Sequence, residues 1–143
     1  MKVSKYMTQK LITATPEMSV MQAFLLMRSH SVRHIPVVEA QGLVGIISDR
    51  DLRRPRWAEN LDDWTTYYQI DDTHSVADVM TRNPETVRAS DAVLKAVRIF
   101  RERRYGALPV LNKDGDLVGI LSAQDLLGAF EEYLVKDKGL NSQ

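Results

Sequence analysis

Leu43-Val44-Gly45-Ile46-Ile47-Ser48-Asp49-Arg50-Asp51-Leu52 returns further along the chain as Leu117-Val118-Gly119-Ile120-Leu121-Ser122-Ala123-Gln124-Asp125-Leu126. In both places a short β-favouring run ends on Ser, and Asp follows three residues later. Working outward, Ile35-Pro36-Val37-Val38 is matched by Leu108-Pro109-Val110-Leu111. Further upstream, Val3-Ser4-Lys5-Tyr6-Met7-Thr8 is matched by Val76-Ala77-Asp78-Val79-Met80-Thr81. The spacing between mates is 73 residues as far as Gly42 and Gly115 and 74 beyond, because the second copy holds one extra turn residue. Over residues 3–53, 17 of the 51 aligned pairs are identical, so the chain reads as two copies of one supersecondary unit.

Each copy has the same local grammar. Val20, Ala23, Phe24 and Met27 stand at i, i+3, i+4 and i+7, which predicts a helix with one buried face. Val93, Ala96, Val97 and Phe100 repeat that spacing. Ser19 with Gln22 three residues on predicts a capping box at the start of the first of these helices. Asn112-Lys113-Asp114-Gly115-Asp116 puts Asp-Gly between two apolar runs, a hairpin signal, and Ala40-Gln41-Gly42 does the same in the first copy. Final helices are expected near Asp49–Arg54 and Ala123–Val135. The order per copy is strand, helix, strand, strand, helix, giving an α+β fold of α/β-type repeats. One apolar sheet face per copy cannot be buried alone, so the two βαββα units are expected to pack sheet to sheet about a pseudo-twofold axis. The copies span residues 1–54 and 76–135, with a crossover over 55–75 and a tail over 136–143. The crossover carries Trp57, Trp64, Tyr67 and Tyr68 together with the acidic pairs Asp62-Asp63 and Asp71-Asp72, and four large aromatics are expected to pack on the module or on a partner.

Composition narrows the function. Of 143 residues, Lys plus Arg equals Asp plus Glu at 19 each, which argues against a protein that coats nucleic acid or an anionic membrane. There is no Cys, which excludes disulfides, thiolate metal sites and Cys nucleophiles. An apolar share of 44% suffices for a packed core, and no run reaches membrane-spanning or signal-peptide length, so a soluble, cytoplasmic protein is expected. Ser48 and Ser122 have no repeated His partner and no Gly-x-Ser-x-Gly elbow, and no Walker-type loop occurs, so no enzyme is expected. His30 and His74 lack the spaced partners of a metal site.

The repeated signature (Met-Thr, amphipathic helix, [Ile/Leu]-Pro-Val-[Val/Leu], then Leu-Val-Gly-Ile-[Ile/Leu]-Ser-x-x-Asp-Leu) resembles tandem CBS domains, a Bateman module. Val32-Arg33-His34-Ile35-Pro36-Val37-Val38 with Ser48-Asp49-Arg50-Asp51 is also similar to the acetoin-utilisation regulatory subfamily. The family resemblance implies a regulatory module that binds adenosine-containing ligands in clefts between its repeats, without catalysis.

By residue chemistry, Asp51 and Asp125 could each accept hydrogen bonds from two ribose hydroxyls. Ser-x-x-Asp is equally a capping box that needs no ligand, and spacing alone fits either reading. The resemblance, in which this Asp binds ribose, favours the ligand. Arg33 and His34 at the lip of the first copy, with Arg50 beside Asp51, suit a phosphate. Their mates Gly106, Ala107 and Gln124 carry no charge, so the second cleft is poorer or differently selective. The resemblance further brings Asp49, Ile35 and Pro36 to the first site and Leu108 and Pro109 to the second, with Thr81, Thr86, Tyr105 and Gly106 grouped with the first cleft. AMP or ATP is the expected ligand; NAD and S-adenosylmethionine share the same ribose. The Arg clusters Arg50, Arg53, Arg54, Arg56 and Arg98, Arg101, Arg103, Arg104 read as solvated helix faces rather than a nucleic-acid surface. The expected partners are a second copy, forming a homodimer, and an unidentified regulated protein. The rival is an adaptor with empty clefts acting through its aromatic crossover or C-terminal helix.

Overall fold

The computed structural model describes residues 1–53 and 73–139. Trp57, Trp64, Tyr67 and Tyr68 of the crossover, together with Arg54 and Arg56, lie outside the described residues. The elements in chain order are α1 (Val3–Tyr6), α2 (Val20–His30), β1 (His34–Glu39), β2 (Gly42–Ser48), α3 (Asp49–Arg53) and α4 (Val76–Val79). They continue as β3 (Thr81–Arg82), β4 (Val87–Arg88), α5 (Val93–Arg103), β5 (Ala107–Leu111), β6 (Leu117–Ser122) and α6 (Ala123–Asp137). Helices and two three-stranded sheets, ordered β1-β2-β3 and β4-β5-β6, make an α+β fold.

The chain forms two compact units, and they do not coincide with the two copies of the sequence repeat. One unit is Ile12–Pro84; the other joins Met1–Leu11 to the chain from Glu85 onward. The short lead-in of each copy therefore belongs with the body of the other copy.

In the Ile12–Pro84 unit, Ser19 and Gln22 form the expected capping box, with both backbone-to-side-chain bonds at 3.0 Å. Helix α2 then presents Val20, Ala23 and Met27 to a core shared with Ile35, Val37, Ile47, Leu52 and Val76, while Phe24 packs at its margin. Strands β1 and β2 pair antiparallel through the turn at Ala40-Gln41, which is closed by Gly42 at φ +114°. Strand β3 pairs antiparallel with β2, setting Thr81 opposite Ile46 and Arg82 opposite Gly45. Lead-in helix α4 docks at the start of α2: Val20 N–H donates to His74 C=O (2.9 Å), and Val76 N–H to Met18 C=O (2.8 Å).

The other unit repeats this plan. Val93 and Ala96 of α5 are buried. Ala96 shares a core with Val3, Val87, Leu108, Val110 and Leu121. β4 pairs parallel with β5, and β5 antiparallel with β6. In the turn, Asn112 Oδ1 accepts from the N–H groups of Asp114 (3.0 Å) and Asp116 (2.9 Å), and Gly115 takes φ +86°. Both hairpins shift register at the same repeat position, between Val37 and Val38 and between Val110 and Leu111. Helix α1 docks at the start of α5, where Val3 N–H donates to Asp91 C=O and Ser4 N–H to Ala89 C=O, both at 2.9 Å. Thr8 and Ile120 exchange backbone hydrogen bonds of 2.8 and 3.0 Å, the counterpart of the Thr81–Ile46 pair. Lys5 Nζ reaches Glu132 on α6 at 2.8 Å.

Candidate functional site

Each unit brings together a strand end, a helix start and the lip of a neighbouring strand. In the Ile12–Pro84 unit, β2 ends on Ser48 and turns directly into α3. Ser48 N–H donates to Asp51 Oδ2 (2.9 Å), and Asp51 N–H donates back to Ser48 Oγ (3.1 Å). This reciprocal pair is the capping box that the spacing allowed. It engages one carboxylate oxygen; Asp51 Oδ1 has no hydrogen-bond partner among the described residues. The register places His34 opposite Ser48, and Asp49 N–H donates to Arg33 C=O (2.9 Å), which fastens the Arg33-His34 lip to the first residue of α3.

Arg33 and Arg50 are exposed and His34 is half-buried. Burial pushes the His34 imidazole below its ordinary value of 6.5; Asp49 and Asp51 pull it upward and Arg33 pushes it further down. Neither ring nitrogen of His34 has a hydrogen-bond partner among the described residues. Asp49 is drawn to Arg53 at 3.8 Å, and the Arg53 guanidinium lies 5.6 Å from the Phe24 ring centre. Ile35 and Pro36 are buried behind the lip, and Thr81 is exposed at the end of β3.

The second unit builds the same frame with different side chains. Ser122 N–H donates to Asp125 Oδ2 (2.9 Å), and Asp125 N–H to Ser122 Oγ (3.1 Å). Ala107 stands opposite Ser122, and Ala123 N–H donates to Gly106 C=O (3.2 Å). The lip here is Tyr105 and Gly106, both exposed, followed by buried Ala107, Leu108 and Pro109. Thr8 Oγ1 lies 3.5 Å from both carboxylate oxygens of Asp125. Thr8 was not among the residues singled out from the sequence. The signal lay in the repeat itself, since Thr8 is the mate of Thr81. Among the residues grouped with the first cleft, Thr81 lies in the unit of Asp51, whereas Thr86, Tyr105 and Gly106 lie in the unit of Asp125.

Chemically, a carboxylate oxygen at a helix start, beside exposed guanidinium groups and an imidazole, can accept from vicinal hydroxyls while the cations meet an anion. Among the described residues, no group of three or more His, Asp or Glu side chains could hold a metal ion, and no helix is long and apolar enough to cross a membrane.

A family model for the CBS domain matches residues 3–56 and 76–132. The chain belongs to the CBS-domain family. A CBS domain-containing protein of Dictyostelium discoideum is 34% identical over 130 residues, covering 87% of this chain and 88% of its own length. The crystal structure of Arabidopsis thaliana CBSX2 in complex with AMP aligns at a TM-score of 0.73 with 30% identity, covering 92% of this chain and 97% of that one. An inosine-5'-monophosphate dehydrogenase of Korarchaeum cryptofilum is 30% identical over 125 residues, which is 87% of this chain but 23% of the enzyme. The likeness to that enzyme is thus confined to its CBS part. Tandem CBS repeats account for the doubled signature and for the paired Ser-x-x-Asp frames.

Proposed function

We propose that this chain is a cytoplasmic regulatory module that senses an adenosine-containing nucleotide and relays its occupancy to a separate protein. The observation that carries this reading is the Asp51 carboxylate, capped through one oxygen and without a hydrogen-bond partner at the other among the described residues, set beside Arg33, His34 and Arg50. Asp51 would hold the ribose hydroxyls, and Ser48, Asp49 and Arg50 at the helix start, with Arg33 and His34, would meet the phosphate. Ile35, Pro36 and Thr81 complete this site. Ser122, Asp125, Thr8, Thr86, Tyr105, Gly106, Ala107, Leu108 and Pro109 form its weaker counterpart. Likeness to AMP-bound CBSX2 supports an adenosine ligand. The guanidinium groups favour a ligand with at least one phosphate, and AMP or ATP is the ligand expected. Exposed Leu127, Phe130 and Tyr133 on α6 support pairing with a second copy.

A thermal-shift panel of AMP, ADP, ATP, NAD and S-adenosylmethionine tests the reading. A ligand at a hundred times its Kd stabilises by about 2.7 kcal/mol, a gain of several degrees in Tm. Asp51→Asn, which can still accept from Ser48 N–H, is expected to abolish that gain and leave the unliganded Tm nearly unchanged. A panel flat for every ligand would leave the adaptor reading in its place.

A further inference from the structure

The lip of the Asp51 site differs from its repeat mate in one further respect: it holds an imidazole. His34 stands opposite Ser48, follows Arg33, and faces a helix start that carries Asp49, Arg50 and Asp51. At the equivalent position of the other unit stands Ala107, with Ala123 and Gln124 in place of Asp49 and Arg50. His34 is half-buried and its ring nitrogens have no partner among the described residues.

We infer that His34 is a proton-linked specificity residue, meeting the ligand's phosphate as an imidazolium, so that capture of a phosphorylated adenosine at the Asp51 site takes up a proton from solvent. This rests on the nucleotide reading above. Without a phosphate, burial holds the ring towards its neutral form; Asp49 and Asp51 oppose this and Arg33 adds to it. A phosphate dianion adds negative charge beside the ring and reverses the balance. The proton comes from buffer and rests on an imidazole nitrogen. The sign follows from linkage: with the bound pKa above the free one, affinity rises as pH falls between them, by up to about tenfold per pH unit. The gain levels off near pH 6, where the phosphate itself becomes a monoanion. Adenosine, lacking the phosphate, shows no such dependence.

The test is calorimetric titration of the full chain with AMP and with adenosine at pH 7.5 and 6.5, each in two buffers of different ionisation enthalpy. Net proton uptake with AMP, absent with adenosine and lost in His34→Gln, is the expected result. AMP binding with the same proton count in the wild type and in H34Q overturns the inference and leaves the nucleotide reading standing. No binding of AMP or ATP by the wild type overturns both. Should H34Q fail to fold, NMR titration of the His34 ring in the wild type decides: its pKa must rise when AMP is added, and an unmoved value overturns the inference.

Discussion

At Gly45 a methyl group would sit 2.7 Å from Met80 Sδ and 2.9 Å from the Thr81 carbonyl oxygen; at Gly119 the same distances, to Met7 and Thr8, are 2.8 and 3.0 Å. The two repeated motifs thus explain each other: Met-Thr lies directly across the glycine of Leu-Val-Gly-Ile. The thioether can swing aside, but the carbonyl is fixed in the strand pairing. Gly45→Ala is therefore expected to cost about 1–3 kcal/mol through overpacking, read as a lower urea midpoint with an unchanged m-value. His34 gives a second expectation at this scale. Because the folded ring titrates below 6.5, the unfolded chain binds more protons in the window beneath that value. Stability without ligand should therefore be intact above pH 6.5 and decline as pH falls below it, and H34Q should flatten that decline. The Ser-x-x-Asp pairs were legible in the sequence because each closes on itself within three residues. The contact of Thr8 with Asp125 was not, because it spans 117 residues and no local pattern announces it.

Helices α2, α5 and α6 and both hairpins were legible for the same reason: period and turn chemistry are local signals. The third strand of each sheet was not, since Thr81-Arg82 and Val87-Arg88 are too short to carry a period. Caps set where the helices begin. Ser122→Ala removes the acceptor of the Asp125 N–H and should cost about 1 kcal/mol, measured by thermal unfolding. Helix α1 is held to α6 by Lys5 and Glu132. The Glu132 carboxyl is drawn down to about 2, chiefly by its hydrogen bond to Lys5, with Lys136 at 3.1 Å also contributing. Glu132→Gln is expected to speed hydrogen exchange at the Val3 and Met7 amides and to leave the amides of α2 unchanged.

For the whole molecule, reading the repeat gave the correct number of copies and the helix, strand, strand, helix run that closes each. It missed the lead-in helices α1 and α4, and the single strand it placed ahead of α2 and α5 is only isolated bridges in the first copy and two two-residue strands in the second. It did not show that each lead-in serves the other copy's body, because sequence identity reports descent while burial reports packing. Val3 and Val76 are equivalent in the repeat, yet each is fully buried in the unit formed by the opposite body. Deleting residues 1–8 should accordingly lower amide protection across β5, β6 and α5 more than across β1, β2 and α2, as hydrogen exchange would measure. This arrangement also orders events while the protein is being made. The Ile12–Pro84 unit can close once its own residues leave the ribosome, whereas Val3 and Met7, made before that unit, must wait for Leu108 and Leu121. Residues made before the Ile12–Pro84 unit therefore reach their native place after it, leaving those two apolar side chains open to chaperones while the intervening chain is translated.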